Sequence, residues 1–189
     1  MPTGKLEISG GAAKLLEGEF TYTSKGLRPE VTYAETGFRG RLQVRLPGQA
    51  HAPSNAADNR WRVQLNDGIP MDLRVKLGVG EGDLTLAGLT LRSLDLVLGV
   101  GQMNLDLTGQ TWKRSCDIAV SGGIGELKVR VPRGVGVVVT AKGGIGGIDI
   151  RGLRKRDGQW VNDAYGEAPV TIRLKVKGGI GQIKISSEG

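Results

Sequence analysis

Aromatic residues are scarce in this sequence: phenylalanine, tryptophan and tyrosine together make up 4% of its 189 residues. The interior must therefore be aliphatic, with each fully buried Leu, Ile or Val contributing about 1.5–3 kcal/mol. Cysteine occurs once, at Cys116, which excludes an internal disulfide framework. Histidine also occurs once, at His51, so neither a zinc site nor a histidine-based catalytic pair is expected.

Long apolar runs are missing as well. No stretch is long and apolar enough to span a bilayer as a helix, and the opening Met1–Gly4 lacks the features of a signal peptide. We therefore expect the given chain to be soluble. Cys116 is in phase with Ile118 and Val120 in an alternating run, which predicts a buried, inert thiol.

Acidic residues are outnumbered by basic ones, 19 against 26, which gives a net charge of +7. This excess favours anionic partners such as phosphate polymers, acidic glycans or membrane headgroups. Simple strand alternation is the competing explanation, because Arg173, Lys175 and Lys177 occupy the polar phase of one apolar run.

Glycine is abundant, with 32 residues, and much of it recurs in one motif, glycine-apolar-glycine. The central residues of successive motifs are 21, 24, 21 and 35 positions apart, and an alternating apolar run precedes each motif. We therefore predict an all-β fold, a repeat β-solenoid or β-helix-like stack, with a β-sandwich as the alternative. The glycines are expected to form structural corners at Gly78, Gly80, Gly99, Gly101, Gly123, Gly125, Gly144, Gly146, Gly179 and Gly181.

The chain divides into three parts by pattern. Residues 1–47 form strands without these corners and could cap the stack, residues 48–60 form a polar loop that contains His51, and residues 61–189 form the glycine-cornered repeat domain. Ala12–Glu17 is the only plausible helical turn.

No motif for a cofactor or for catalysis is complete. Each glycine corner leads into a strand, whereas a dinucleotide site needs a helix there, and apolar residues stand where a calcium-binding β-roll places aspartate. One column of equivalent positions offers only two carboxylates, too few for acid-base or metal chemistry. The column consists of Asp83, Asn104, Lys128, Asp149 and Lys184. We expect no cofactor, no metal and no enzymatic activity.

The long interval between the last two corners leaves room for an insertion, residues 151–169, which combines basic and aromatic residues. Such insertions tend to project as functional loops. Basic groups beside aromatics can hold phosphates and stack on bases, whereas the simpler interpretation is an exposed polar loop tucked in by one Trp. The candidate contacts to an anionic partner are Arg151, Arg154, Lys155, Arg156, Trp160 and Tyr165.

The corner-and-strand segments Gly99–Leu107 and Ser121–Pro132 resemble the bacterial toastrack domain, and residues 10–31 resemble its N-terminal segment. That family occurs in adhesin-like proteins and at the C-terminal end of cell-wall-stress and phage-shock membrane proteins. The resemblance implies a β-solenoid-like scaffold with no agreed catalytic residues. It also favours the cell envelope, either extracytoplasmic or membrane-associated through an anchor outside this sequence, over the cytoplasm.

The resemblance implies a non-catalytic envelope-associated interaction module, either adhesin-like or a scaffold for envelope-stress signalling. The alternative is a polyanion- or nucleic-acid-binding protein that uses the basic insertion 151–169. Expected partners are a protein, an anionic envelope polymer or a membrane surface, with nucleic acid as the alternative. We also consider a homo-oligomer formed through exposed strand edges.

Overall fold

The computed structural model describes residues 1–23, 25–46, 59–109 and 112–188. Within these ranges it contains thirteen strands, one 3-10 turn at Lys25–Leu27 and no α-helix. The strands are β1 Thr3–Ser9, β2 Leu16–Thr21, β3 Glu30–Thr36, β4 Arg39–Arg45, β5 Arg60–Leu65, β6 Met71–Thr85, β7 Leu91–Asp106, β8 Cys116–Val131, β9 Gly136–Lys142, β10 Ile145–Arg151, β11 Arg154–Arg156, β12 Gln159–Val161 and β13 Thr171–Ser187.

Eleven of these strands form one sheet, and ten of them follow the order β2-β5-β1-β6-β7-β8-β13-β9-β12-β11. The eleventh, β10, pairs with β13, as β9 does. The long strands β6, β7, β8 and β13 pair in parallel and in register through their glycine corners. Each long strand is thus one layer of a stack. The predicted all-β solenoid-like fold is confirmed, and the alternative of two separate facing sheets is not what the structure shows.

Two rows of glycine make the corner. In the second row, Gly101 has φ +134°, and a Cβ there would overlap the carbonyl oxygen of Gly80 in the layer below. In the first row, Gly99 has no positive φ, but a Cβ there would overlap the carbonyl oxygen of Gly78. The second glycine is therefore required by its backbone conformation and the first by the close approach of the next layer.

The corner resets which side chains face inward. In β6, Leu77 before the corner and Leu84 after it are both 1% exposed, although seven positions separate them. Val79, the central residue between the two glycines, is 48% exposed. Seven is an odd step, so a continuous strand would send one leucine outward; the bend at Gly80 brings both into one core cluster.

The layers do not stack in chain order. β13, the last strand, lies between β8 and the layer formed by β9 and β10. β9 pairs with the half of β13 before the corner, and β10 pairs with the half after it. The insertion connects β10 to β13, and the last strand of the chain therefore lies inside the stack and not at its end. Motif spacing alone does not determine this order.

The N-terminal part joins the same sheet. β1 pairs in parallel with β5 and β6, and its Gly4 aligns with Gly80 with φ +126°, so Gly4 continues the row of corners. The division into residues 1–47, 48–60 and 61–189 stays a prediction. Most of the proposed loop, including His51, lies outside the described residues.

The predicted helical turn at Ala12–Glu17 is wrong, because β2 begins at Leu16 and pairs with β5. The Glu17 carboxylate instead accepts hydrogen bonds from the backbone N–H groups of Ala13 and Lys14, at 3.2 and 3.3 Å. β3 and β4 form a separate two-stranded hairpin outside the main sheet. Across the described ranges, no helix is long and apolar enough to cross a membrane.

Candidate interaction surface

The insertion folds as a hairpin that extends the sheet. β11 and β12 pair antiparallel across a turn at Asp157 and Gly158, and β12 pairs antiparallel with β9. The buried amide of Asn162 fixes the hairpin: its Oδ1 accepts a hydrogen bond from Val137 N at 2.9 Å, and its Nδ2 donates to the Val135 carbonyl at 2.7 Å. The insertion is therefore a structured cap on β9.

Strand alternation separates the basic run of the insertion. Arg154 pairs with Val161 and Arg156 with Gln159, on the outer face of the sheet, whereas Lys155 pairs with Trp160 on the opposite face. The Trp160 side chain is half-buried and packs against the core. The Trp160 indole therefore contributes apolar packing and lies away from the outer guanidinium groups.

Arg151 and Tyr165 are the other two candidates. Arg151 is at the end of β10, on the other side of the corner, where its Nη2 is 2.8 Å from Asp149 Oδ2. Tyr165 is half-buried, and its backbone N–H donates to the Asn162 carbonyl at 3.3 Å. The structure thus brings Arg154 and Arg156 together and places Arg151, Lys155 and Trp160 elsewhere.

Neighbouring strands add further cations to the side that carries Arg154 and Arg156. Thr140 of β9 pairs with Lys175, and the side chain of Gln159 donates to Thr140 Oγ1 at 3.2 Å, so these residues share the outer face. We call this surface the basic face. It comprises Lys142, Arg154, Arg156, Arg173, Lys175 and Lys177.

The basic face suits an extended anionic ligand. Three strand spacings of about 4.8 Å separate Lys175 on β13 from Arg156 on β11, a width of about 14 Å. The neighbouring row, from Arg173 to Arg154, runs through Val138 and Val161, which are 8% and 3% exposed, so the face is covered between those two arginines. Its arginines have acidic neighbours: Arg173 with Asp117 at 3.5 Å, Arg154 with Asp163 at 3.4 Å and Arg156 with Asp157 at 3.8 Å. Exposed pairs of this kind contribute little and leave the guanidinium accessible.

Its lysines carry uncompensated charge. Lys142 and Lys177 are directly opposite each other on β9 and β13, and among the described residues neither forms an ion pair. Like charges placed directly opposite destabilise a sheet. Packing therefore gives no reason for this pair.

The stack contains a second lysine pair, which shows the contrast. Lys128 and Lys184 are also directly opposite, on β8 and β13. Glu126 bridges them, with its oxygens 3.1 Å from Lys128 Nζ and 2.6 Å from Lys184 Nζ. The hydrogen bonds from Lys184 and Lys128 lower the pKa of the Glu126 carboxyl. A carboxylate thus partly compensates the charge of one lysine pair, whereas the other pair has no such partner among the described residues.

Four members of the basic face were missed as site residues at the sequence level because alternation explained the polar phase of β13 by itself: Lys142, Arg173, Lys175 and Lys177. The signal that could have identified them is the pairing of β13 with β9, which places Lys177 beside Lys142. Pairing of strands 35 residues apart is not readable from local pattern. The charge in the insertion and the charge in β13 therefore looked like separate features.

The predicted column lines a shallow groove on the other side of the corner. In spatial order it runs Asp83, Asn104, Lys128, Lys184, Asp149, so the two carboxylates stand at opposite ends. The groove has a volume of about 600 Å³ and also contains Asp106, ion-paired with Arg130. Paired charges along its length suit a solvated surface.

Reactive groups are not assembled in the described part of the chain. Cys116 is 1% exposed, and burial raises the pKa of its thiol to about 12, so the nucleophilic thiolate is disfavoured. No group of three or more His, Cys, Asp or Glu side chains with metal-binding geometry occurs among the described residues.

Two protein families match this chain over most of its length. Residues 1–130 match the family described as the N-terminal domain of toast_rack. Residues 79–185 match the family described as "Cell wall-active antibiotics response LiaF, C-terminal". The overlap at residues 79–130 covers the corners of β7 and β8 and, except for Gly78, the corner of β6. No curated protein matches the chain significantly.

A solved structure has the same fold. It is a crystal structure from Clostridium sporogenes, described as "a putative cell adhesion protein". The TM-score is 0.92 at 31% sequence identity, and the match covers 98% of this chain and 88% of that chain. The likeness extends through the N-terminal strands, the stack and the cap.

Proposed function

The chain belongs to the toast_rack family through its N-terminal domain and to the LiaF C-terminal family through its repeats, and from this premise we propose that it is a non-catalytic interaction module of the cell envelope. Its role is adhesin-like or that of a scaffold in envelope-stress signalling. The cell-wall response of the LiaF C-terminal family and the cell-adhesion description of the structural relative support this assignment. The buried, inert thiol is consistent with a non-catalytic role.

The partners we propose are a protein, or an anionic envelope polymer or membrane surface, together with a second copy of the chain through exposed strand edges. Among these, the basic face favours an anionic polymer or headgroup surface. The single observation that supports this choice is the uncompensated Lys142–Lys177 pair, which contrasts with the Glu126-bridged pair Lys128–Lys184.

Nucleic acid is the second candidate, and one observation weighs against it. Single-strand binding depends on aromatic side chains stacked beside the basic groups. Trp160 lies on the face opposite Arg154 and Arg156 and packs against the core. Trp160 is therefore not available as a stacking platform on the basic face, which favours phosphate polymers that carry no bases.

A matched pair of double variants tests the site. Lys142→Ser/Lys177→Ser and Lys128→Ser/Lys184→Ser remove the same charge from two surfaces. Binding to poly(glycerol phosphate), to phosphatidylglycerol vesicles and to single-stranded DNA is measured at low and high salt. We expect the first variant to weaken polymer or vesicle binding at least about tenfold and the second by less than about threefold.

A second comparison uses the alternation of β11. Arg154→Ala/Arg156→Ala should weaken binding, whereas Lys155→Ala, on the opposite face, should leave it nearly unchanged. Equal losses in the two lysine variants would contradict a localised site and indicate only a response to net charge. DNA binding stronger than binding to the polymer would favour the second candidate.

A further inference from the structure

The last layer of the stack is covered over only half its width. β9, before the corner, pairs with the β11–β12 hairpin, and Trp160 of that hairpin packs against the core. β10, after the corner, pairs with β13 and with no other strand in the described ranges. Its second edge therefore presents backbone N–H and C=O groups that have no ladder partner within those ranges.

Core-facing side chains are left open at this edge. Ile148 pairs with Ile183, so both face the interior, yet Ile148 is 42% exposed and Ile183 only 4%. Ile145 at the corner is 73% exposed, whereas the central residues of the other four corners are 43–51% exposed. Apolar side chains on an unpaired strand edge are what natural sheets normally avoid, since such an edge is a template for another strand.

We propose that β10 is the contact through which two copies of this chain associate, with β10 of the second copy added as the next layer of the sheet. The inference specifies the self-association within the proposed partner set, and it does not depend on the basic face. Addition of the strand would satisfy the backbone groups of β10 and cover Ile148 with its counterpart.

Charge on β10 permits self-pairing. A two-fold axis makes the two β10 strands antiparallel, and each copy contributes one carboxylate and one guanidinium, Asp149 and Arg151, which lie 2.8 Å apart within a chain. Each copy thus faces both signs of charge, so self-pairing is not opposed by net like charge. A second copy is therefore better suited to this edge than a strand with only one sign of charge.

The opposite end of the stack lacks these features. There β1 and β5 cover the half of β6 after the corner, and the edge strand beyond, β2, carries exposed Glu17 and Glu19. Two such edges would bring like charges together. The half of β6 before the corner pairs only with β7 among the described strands, but its core-facing Val75 and Leu77 are 6% and 1% exposed, unlike Ile148. Contact through β10 alone closes after two copies, so we expect a dimer and no fibre.

Sedimentation equilibrium on the full chain tests the proposal. The wild type should be a dimer, and Ile145→Lys/Ile148→Lys should raise the dimer dissociation constant at least about tenfold. The matched control is Val79→Lys/Val100→Lys, which adds the same charge at corners of inner layers and should leave the constant within about twofold. Circular dichroism verifies that each variant is folded. If the double variant unfolds, Ile145→Lys alone serves the same test.

A spin label tests the geometry. An added Cβ at Gly147 has no atom within 4 Å, and the native Cys116 is buried, so Gly147→Cys gives one labelled position on β10. We expect an intermolecular label distance under about 20 Å, because paired strands lie about 4.8 Å apart. A wild type that stays monomeric at the highest soluble concentration would overturn the proposal. So would an unchanged dimer dissociation constant in Ile145→Lys/Ile148→Lys, or a label distance well above about 20 Å. Polymer binding is measured separately, so failure of one proposal does not affect the other.

Discussion

The stack and the β3–β4 hairpin differ in what surrounds otherwise similar strands. Leu94 and Leu96 of β7 alternate in the same way as Val31 and Tyr33 of β3, yet the leucines are 1% and 0% exposed and the hairpin residues 49% and 53%. β7 has a layer on each side, whereas β3 pairs only with β4. Alternation therefore predicts a strand, and only the glycine corners predict that layers will stack on it.

The hairpin depends on the stack for its stability. A lone two-stranded hairpin is marginal in water. Val44 and Leu46, at the end of β4 nearest the main sheet, are partly buried against the core, whereas Phe38 at the far turn is fully exposed. We therefore expect the hairpin to lose structure first and the stack to unfold as one unit.

The same leucine deletion should have unequal effects in the two regions. Leu96→Ala removes a side chain that is 0% exposed, so it should lower the free energy of unfolding by about 2–5 kcal/mol. Leu42→Ala, in the half-buried cross-strand position opposite Tyr33, should cost about 1 kcal/mol or less. Urea unfolding midpoints give both values. Similar losses would show that the hairpin is part of the core.

A second comparison is between the β3–β4 hairpin and the β11–β12 hairpin, which the buried side-chain amide of Asn162 holds in place. Asn162→Ala leaves Val137 N and the Val135 carbonyl without their partner, so it should cost about 1–3 kcal/mol. Hydrogen exchange should quicken at residues 137 and 159–161 and stay unchanged in β3 and β4. Unchanged protection at residue 137 would contradict the anchoring role.

The smallest effect concerns charge within the stack. The hydrogen bonds from Lys184 and Lys128 lower the pKa of Glu126 from 4.5, so the charged form stabilises the fold above pH 4.5 and the benefit fades as the pH falls through the lowered pKa. Glu126→Gln should therefore be less stable than the wild type at pH 7, and the difference should shrink as the pH falls below 4.5. A difference that is constant with pH would exclude this linkage.

Sequence pattern was sufficient for the class of fold, for the strands before each corner and for the buried Cys116. It was insufficient where register decides: the place of β13 between β8 and β9, and the meeting of Lys142 with Lys177, follow from pairing between distant strands. Gly4 escaped notice because its corner contains one glycine in place of two. The helical turn at Ala12–Glu17 failed because pairing of β2 with β5 outweighed local propensity.

The candidate site was only partly predictable for the same reason. Arg154 and Arg156 could be identified as candidates from composition, but alternation within β11 separates them from Lys155, and β10 carries Arg151 to the other side of the corner. These separations depend on where short strands begin and what they pair with. Composition does not contain that information.

The account depends on glycine at the corners being required for stacking, and two alanine variants in one strand test this directly. Gly125 has φ +137° and a Cβ there would overlap the Gly101 carbonyl oxygen, whereas a Cβ at Gly122 would be 4.0 Å from its nearest neighbour, the Lys177 carbonyl oxygen. We predict that Gly125→Ala lowers the free energy of unfolding by about 3 kcal/mol or more, or prevents folding, while Gly122→Ala changes it by less than about 1 kcal/mol. Equal urea midpoints for the two variants would contradict the account.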